Sequence, residues 1–462
     1  MVFSSLIFLC IFLPVVLLLY YTSKNITYKN TVLIIASLFF YAWGEPVWVT
    51  LLIFSAFVDY VCGLIIDKHY ARIGSKIALI ASLTINLGIL LTFKYSDFFI
   101  NNINSIFHAN IPNPNFALPI GISFYTFQTL SYTIDMYRGH TKVQKSFFNY
   151  LTYLSMFPQL VAGPIVRYSH VAKELSSRQT TMEDFAYGVK RFTVGMCKKV
   201  ILANSAGAVA SMILDSTRLT VMSSWLGIIM YTFQIYFDFS GYSDMAIGMG
   251  RMLGFHFPEN FKHPYISRSI TEFWRRWHIS LSSFFRDYIY IPLGGNRYRP
   301  ILNLFIVWFL TGFWHGASWN FILWGLFYGV LLFIEKSSFR QFLQKLPVPL
   351  CYIYTMFFVI MGWALFYFTD LNELWVFVQS AFGVNTPLYD LTAVSTFCTN
   401  IYLFIVCLIA CTPVPSMIYT HLCKKWELFA KITEPILVIF GLGICFIMLV
   451  GQTFNPFLYF RF

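Results

Sequence analysis

Charged residues are scarce in this chain. Asp, Glu, Lys and Arg make up 11% of its 462 residues, whereas 58% are hydrophobic and the mean hydropathy is +0.65. A soluble domain carries about a quarter charged residues. The shortage excludes an ordinary soluble protein and predicts an all-α protein that crosses a membrane many times.

Several familiar motifs are also missing. The nine cysteines form no CxxC pair and lie mostly in apolar runs, which favours buried thiols over a disulfide framework or a zinc site. The serine nucleophile pattern GxSxG is absent. No internal repeat divides the chain into inverted halves, which disfavours a secondary-transporter fold. The net charge of +12 comes from loops between apolar runs, so anionic lipid headgroups are better partners than nucleic acid.

Long apolar runs are abundant, and they predict about eleven to thirteen membrane crossings at roughly 20 residues each. Some crossings should be broken or re-entrant. The runs lie near 4–21, 31–43, 46–66, 76–96, 117–135, 148–166, 222–240, 301–322, 323–335, 350–368, 397–413 and 433–451. A further run near 191–213 is a weaker candidate because Lys198 and Lys199 interrupt it.

The loops between the first five runs predict the orientation. The first run has neither a basic leader nor a small-residue cleavage site, so we expect it to be a retained span. Lys or Arg residues follow the first, third and fifth runs, whereas the loops after the second and fourth contain none. Basic loops stay in the cytoplasm, which places the N-terminus outside.

The middle of the chain differs from its ends. Residues 1–100 and 350–462 contain ordinary apolar spans, whereas 117–335 mixes apolar runs with Gly, Pro and polar residues. Such backbone is tolerated at membrane depth only where it is buried in protein or lines a wet cavity. We expect a single domain, 1–462, with its functional core at 117–335. Asp238 and Asp244 are candidates to line a tunnel. The Ser, Thr and Gln residues of 118–139 are equally consistent with lining a cavity and with hydrogen-bonded contacts between helices.

The block 259–299 is the most basic part of the chain. An amphipathic helix is predicted from Ser269 to Tyr290, with Trp274, Trp277, Leu281 and Phe284 on one face. Ser269 or Thr271 is the expected cap, and Pro292 follows the end. A basic helix with an aromatic face is typical of a membrane interface. Arginine pairs such as Arg275 and Arg276 are alternatively suited to binding phosphates.

Two histidines are candidates for chemistry. His315 lies in the run 301–335, which contains no charged side chain before Glu335. An ionisable residue at that depth usually marks a pathway or a reaction site. It is either a packed histidine bonded to a carbonyl or a general base that takes a proton from an attacking hydroxyl. A metal ligand is disfavoured, since no second His or Cys lies three or four residues away. His278 is a structural histidine by default, but Arg275, Arg276 and Asp287 lie nearby in sequence.

Together the motifs resemble a known family. FFYAWGEP, FPQLVAGPIVRY, YFDFSGYSDMAIGMGRMLGFHFPENF, SRSITEFWRRWHISLSSFFRDYIYIPLGGNR, GFWHGASWNFILWG and the terminal NPFLYFRF are similar to motifs of the membrane-bound O-acyltransferase family. The resemblance is to its bacterial branch that O-acetylates alginate and peptidoglycan, and it runs along the whole chain.

The resemblance implies transmembrane and re-entrant helices around a tunnel, in the bacterial inner membrane. The family's catalytic histidine corresponds to His315 and its second histidine to His278, while Arg286 and Asp287 match the same motif. The implied donor is acetyl-CoA or another acetyl thioester from the cytoplasm, with no tightly bound cofactor and no metal. An extracytoplasmic acetyltransferase is the implied partner. Candidates for the tunnel or the donor site are Asp238, Asp244, Arg275, Arg276, Arg286, Asp287, Trp314 and Asn320.

Three hypotheses remain open at this stage. The chain is either an acetyltransferase, a transporter of the acetyl donor or polymer that makes no bonds, or a non-catalytic membrane platform for a partner enzyme. Only the first requires His315 to act as a base.

Overall fold

The computed structural model describes residues 1–216, 218–337, 339–451 and 457–458, and these residues contain helices but no β-strand. The chain divides into two compact units. The first contains Met1–Phe192 and Tyr242–Glu259, and the second contains Thr193–Gly241 and the described residues from Asn260 to 451. Of the terminal motif at 455–462, all but Phe457 and Leu458 lies outside the described residues.

The first unit begins with a π-helical turn, Phe8–Phe12, which continues into α1. Its helices are α1 (Leu13–Tyr21), α2 (Ile26–Ala42), α3 (Val49–Lys68), α4 (Ile73–Phe107), α5 (Ile122–Tyr137), α6 (Phe147–Ser155), α7 (Phe157–Leu160) and α8 (Tyr168–Ser176). The helix α9 (Met182–Cys197) begins in the first unit and ends in the second.

The second unit continues α9 through a π-helical turn, Lys198–Ala203, into α10 (Asn204–Leu214). The helix α11 (Val221–Met252) begins in the second unit and ends in the first. After a short 3-10 turn, Pro264–Ile266, come α12 (Ile270–Arg276), α13 (Ile279–Phe285) and a π-helical turn, Arg286–Tyr290. The remaining helices are α14 (Pro300–His315), α15 (Trp319–Lys336), α16 (Phe339–Lys345), α17 (Val348–Tyr367), α18 (Leu371–Ala381), α19 (Leu391–Ala410), α20 (Val414–Lys425) and α21 (Glu427–Val450).

Local sequence explains where several helices begin. Asn25 accepts hydrogen bonds from the first free backbone N–H groups of α2, and Ser146 does the same for α6. Asp370 and Asp390 cap α18 and α19 in the same way. Such side chains satisfy donors that a helix start leaves without an intrahelical partner.

Among the described residues, seven helical segments are long and apolar enough to cross a membrane. They are Val49–Lys68, Ile73–Phe107, Met182–Leu214, Trp319–Lys336, Val348–Tyr367, Leu391–Ala410 and Lys431–Val450, with shorter apolar helices at Phe8–Tyr21, Ile26–Ala42 and Pro300–His315. The all-helical membrane fold is therefore confirmed. Fewer full-length spans are found than expected. Three of the expected runs form only the shorter apolar helices, and in the middle of the chain α5 has 16 residues and the run 148–166 is broken after Ser155.

Of two local predictions, one was confirmed and one was wrong. The weaker candidate near 191–213 lies within a full-length candidate span, Met182–Leu214, in which Lys199 forms an ion pair with Asp238 at 2.5 Å. The single helix from Ser269 to Tyr290 is instead broken at Trp277 and His278, between α12 and α13. Its aromatic face is buried in protein, since all four predicted face residues are at most 7% exposed.

Candidate functional site

His315 is the last residue of α14, and the chain turns there into α15. Gly316 is extended and Ser318 precedes the first turn of α15, so the sequence GFWHGAS forms a tight corner at the histidine. The two helices touch through their backbones. A Cβ added at Gly312 would lie 2.3 Å from the carbonyl oxygen of Phe321, and one at Gly325 would lie 2.3 Å from that of Trp308. These glycines fix the position of His315 against α15.

Aromatic rings surround the His315 imidazole. Its ring centre lies 4.9 Å from that of Trp324 and 5.3 Å from that of Phe366, both nearly perpendicular to it. The His315 side chain is buried, and it is an ionisable group within an otherwise apolar run. The sequence named neither Trp324 nor Phe366, because their contact with His315 depends on how α15 and α17 pack on α14. The result is a dry aromatic pocket around one imidazole.

His278 lies in the break between α12 and α13, with a left-handed backbone at φ 44°. Its Nδ1 lies 3.1 Å from Oδ1 of Asn260, which also accepts hydrogen bonds from the hydroxyl and backbone N–H of Ser280. Because Oδ1 is an acceptor, Nδ1 carries the proton and Nε2 carries the lone pair. Burial lowers the pKa of His278 to about 3, so the ring is neutral at physiological pH.

Trp314 connects the two histidines. Its ring centre lies 4.9 Å from that of His315 and 6.2 Å from that of His278. Phe239 of α11 packs edge-on against His278 at 4.6 Å. The two histidines, 37 residues apart in sequence, therefore belong to one aromatic cluster.

A cavity of about 1320 Å³ lies beside α14 in the second unit. It exceeds the roughly 300–1,000 Å³ of ordinary small-molecule pockets. Its apolar part includes Leu281, Phe285, Leu304, Val307, Trp308 and Thr311, and its charged part includes Arg268, Glu272, Arg275, Arg286, Glu335 and Lys336. Thr311 precedes His315 by four residues, about one helical turn. The cavity therefore extends to one turn from the histidine.

The wall between cavity and histidine is aromatic. Trp274 lines the cavity and contacts Trp324 at 5.5 Å, and Trp324 contacts His315. Trp308 also lines the cavity and packs on Trp274 at 4.8 Å. Indole side chains thus lie between a large cavity with charged lining residues and a buried imidazole.

The two neighbouring arginines of α12 have different surroundings. Arg275 is exposed and lines the cavity, and no carboxylate of the described residues lies within 4 Å of it. Arg276 is absent from the cavity lining and forms an i, i+4 ion pair with Glu272 at 2.7 Å. Of this pair, only Arg275 is placed to contact a molecule in the cavity.

The other predicted site residues lie in separate environments. In the second unit, Asp238 pairs with Lys199, and both are buried. In the first unit, Asp244 accepts from Arg191, which also pairs with Glu259 at 2.6 Å. Neither aspartate lines the cavity. Their role in a tunnel stays a prediction.

Three further predicted residues, Arg286, Asp287 and Asn320, lie in the second unit. Asp287 accepts from Nε of Arg286 at 2.7 Å, and only Arg286 lines the cavity. Asn320 is fully buried and donates to the carbonyl of Leu365. Its Oδ1 is buried without a hydrogen-bond partner in the described chain.

Glu335 was noticed in the sequence only as the first charge after His315, yet it organises the cavity. Its carboxylate accepts the backbone N–H groups of Ile270 and Thr271 at 2.7 and 2.8 Å and the Thr271 hydroxyl at 2.6 Å. The hydroxyl of Tyr354 lies 3.3 Å away. Glu335 thereby anchors the start of α12, which carries Trp274 and Arg275, to the end of α15.

Replacing Glu335 with Gln is expected to lower stability by about 1–3 kcal/mol, because an amide offers one acceptor oxygen to two backbone donors. The measurement is the thermal unfolding midpoint of the purified protein. Glu373→Gln, at an exposed glutamate in the first turn of α18, is the matched control and should leave the midpoint unchanged. Equal unfolding midpoints for Glu335→Gln and the wild type would show that the hydrogen bonds from Ile270 and Thr271 to Glu335 contribute nothing to stability.

Comparison with known proteins identifies the family. The model of the MBOAT, membrane-bound O-acyltransferase family, matches residues 136–378, which include both histidines and the cavity-lining helices α12 to α15. A Pseudomonas aeruginosa protein named Probable alginate O-acetylase AlgI is 42% identical over 394 residues, which cover 84% of this chain and 76% of that protein. The peptidoglycan O-acetyltransferase of Helicobacter pylori is 34% identical over 423 residues, which cover 83% of this chain and 80% of that protein.

A more distant relative carries a different acyl group in its name. The teichoic acid D-alanyltransferase of Bacillus subtilis is 30% identical over 278 residues, which cover 55% of this chain and 70% of that protein. The family model covers more than half of the chain, and the two O-acetylating relatives match most of its length. This multi-pass membrane protein therefore belongs to the membrane-bound O-acyltransferase family of enzymes.

Proposed function

We propose that the protein transfers acetyl groups from a cytoplasmic acetyl thioester, such as acetyl-CoA, for O-acetylation of a polysaccharide outside the cell membrane. The observation that carries the proposal is the cavity beside α14, whose lining combines charged and apolar side chains and reaches Thr311, one turn from His315. Relatives named for O-acetylation of alginate and of peptidoglycan support the acetyl group and the class of polymer.

In this proposal His315 is the catalytic base. Its imidazole takes the proton of the acceptor hydroxyl as the hydroxyl oxygen bonds to the acetyl carbon. The carbon–sulfur bond of the thioester then breaks, and the proton passes from His315 to the departing sulfur. The aromatic pocket of Trp324 and Phe366 keeps water from competing with the acceptor.

His278 is the second proposed catalytic residue. Its Nδ1–H is committed to Asn260, so its neutral ring presents Nε2 as an acceptor within the same aromatic cluster. Trp314, whose ring contacts both histidines, and Asn320, with its buried Oδ1, are proposed to line the tunnel. Asp238, Asp244, Arg286 and Asp287 complete the proposed tunnel and donor-site residues.

The proposed cellular arrangement has the donor arriving from the cytoplasm at a bacterial inner membrane, with the N-terminus outside. The basic loops after the first, third and fifth apolar runs support that orientation. The acetyl group then reaches the polymer through an extracytoplasmic acetyltransferase partner. The catalytic core in this proposal is 117–335, within one domain of 1–462.

The proposal is tested by mass analysis of surface polysaccharides from cells with and without the gene. Loss of O-acetyl groups on deletion, restored by the wild-type gene, is the expected result; unchanged acetylation would refute the proposal. A transporter of the donor would instead leave acetyl thioester unconsumed when purified protein and acceptor are mixed. Consumption of thioester with release of free thiol therefore separates the enzyme from the transporter.

Arg275 and Arg276 provide a matched pair for the donor site. Arg275→Gln is expected to raise the Michaelis constant for the acetyl thioester about three- to tenfold, because a charged hydrogen bond to a donor phosphate is lost. Arg276→Gln should change it little, since Arg276 is held by Glu272 outside the cavity lining. Steady-state kinetics with varied donor concentration measures both. Equal effects of the two substitutions would remove Arg275 from the donor site.

A further inference from the structure

A buried carboxylate lies at the middle of the candidate span α3, in the first unit. Asp59 is the eleventh of the 20 residues of Val49–Lys68 and has no exposed surface. It belongs to neither the aromatic cluster nor the cavity of the acyl-transfer site. Ionisable residues at such depth are costly and usually functional.

Neutral groups from neighbouring helices hold this carboxylate. From α4, the hydroxyl of Ser82 donates to Oδ1, and Nδ2 of Asn86 lies 3.0 Å from each carboxylate oxygen. Thr129 of α5 contacts Asp59 through its side chain, and the Thr133 hydroxyl lies 3.2 Å from that of Ser82. Three helices therefore meet at one carboxylate.

Among the described residues, no positive side chain forms an ion pair with Asp59. Within the described part of the chain, no nitrogen of Lys, Arg or His lies within 4 Å of its oxygens. Lys94 is eight residues beyond Asn86 on α4, about 12 Å along the helix axis. A buried charge of this kind requires a counter-charge or neutralisation.

Three neighbouring residues contain buried oxygen atoms with unused hydrogen-bonding capacity. Oδ1 of Asn86 and the hydroxyls of Ser55 and Tyr150 are buried and have no hydrogen-bond partner among the described residues. All three residues are at most 1% exposed. Ser55 lies one turn before Asp59 on α3, and Tyr150 of α6 is close enough for electrostatic interaction with Asp59. One carboxylate among neutral oxygens is a ligand set for a hard cation.

We propose that Asp59 is the centre of a binding site for one monovalent cation, either Na⁺ or a proton, in the membrane-embedded part of the first unit. Na⁺ would be held by the carboxylate together with Oδ1 of Asn86 and the neighbouring hydroxyls. A proton would convert Asp59 to a neutral carboxylic acid. In both cases the positive charge removes the cost of the buried anion and stabilises the packing of α3, α4 and α5. The site does not depend on the proposed acetyl transfer.

The groups that face Asp59 limit what a pH titration can report. They are Cys62 on α3, Tyr132 on α5 and Tyr150 on α6, while α4 contributes the neutral Ser82 and Asn86. All three titratable neighbours are neutral when protonated and ionise only in alkaline solution. A change between acidic and neutral pH that Asp59→Asn abolishes therefore belongs to Asp59.

The test is thermal unfolding of the purified full-length protein, with two titrations. In the first, NaCl replaces choline chloride at constant ionic strength; in the second, pH is varied without Na⁺. A Na⁺ site predicts that the unfolding midpoint rises by about 2 °C or more with Na⁺. A proton site predicts that the midpoint falls as pH rises, because the folded state holds a proton that the unfolded state releases. A midpoint indifferent to both overturns the proposal.

Variants identify the residue responsible. Asp59→Asn, which is isosteric and uncharged, should lose whichever response the wild type shows, whereas Asp67→Asn, at the exposed end of the same helix, should keep it. Tyr150→Phe removes one candidate oxygen without removing a hydrogen bond, so it should weaken a Na⁺ response and leave a proton response intact. If Asp59→Asn fails to fold, the Na⁺ and pH titrations of the wild type and of Tyr150→Phe are compared instead, and they distinguish a Na⁺ site from a proton site. A response that persists in Asp59→Asn contradicts the site.

Discussion

Replacing His315 with Ala is expected to reduce acetyl transfer by about 10²- to 10⁴-fold, the usual contribution of a positioned base. His315 is buried, and its ring is held by Trp324 and Phe366 at the end of α14. Loss of the imidazole removes the proposed proton acceptor for the attacking hydroxyl, so the acceptor is expected to remain a poor nucleophile. The measurement is the rate of thiol release from an acetyl thioester by purified protein with acceptor present.

The controls for His315 separate chemistry from packing. His315→Gln keeps a polar side chain of similar reach but has no basic nitrogen, so it should be as inactive as His315→Ala. His108→Ala, at an exposed histidine after α4, should be fully active. Wild-type acetylation in cells that contain His315→Ala at equal abundance would exclude the catalytic role and favour a non-catalytic platform.

The second large effect concerns Lys199 and Asp238, the buried ion pair. Removing one partner leaves an uncompensated charge, so Lys199→Met or Asp238→Asn should each lower stability by about 3–5 kcal/mol. Both side chains are at most 5% exposed, so solvent offers little screening. The double variant has no charge to bury and should recover most of the loss. The unfolding midpoints of the wild type, the two single variants and the double variant measure the interaction between Lys199 and Asp238.

The same double variant tests the proposed role of Asp238 in the tunnel. A folded double variant with wild-type transfer activity would show that Asp238 acts only as a structural counter-ion. A folded but inactive one would support a place in the tunnel. Full stability of either single variant would contradict the ion pair itself.

The general fold was accessible from sequence because it depends on composition and on local signals. Scarce charge and long apolar runs predicted an all-helical membrane protein, and Ser269 was correctly expected as the cap of α12. The helix break at His278 was not predictable, since the flanking residues suit a continuous helix. The left-handed backbone there depends on Asn260, a residue distant in sequence that bonds to both His278 and Ser280.

Contacts between residues far apart in sequence could not be predicted from local sequence patterns either. Lys198 and Lys199 made the run near 191–213 a weak span, because nothing nearby in sequence indicates that Asp238 balances Lys199. The grouping of His278 and His315 around Trp314 depends on helix packing for the same reason. The motifs identified the family, whereas the exposed Arg275 and the paired Arg276 were distinguished only by their surroundings in space.

The left-handed backbone at His278 makes the residue that is best for stability different from the residue that the proposed acetyl transfer requires. A left-handed conformation at φ 44° costs little for glycine but strains a residue with a Cβ, and no glycine is present there. A library of all substitutions at 278, scored once for protein abundance and once for acetylation, would therefore rank the residues in different orders. The most abundant variants would be those without an imidazole, so selection for yield alone would drive this position away from the residue assigned to the proposed acetyl transfer.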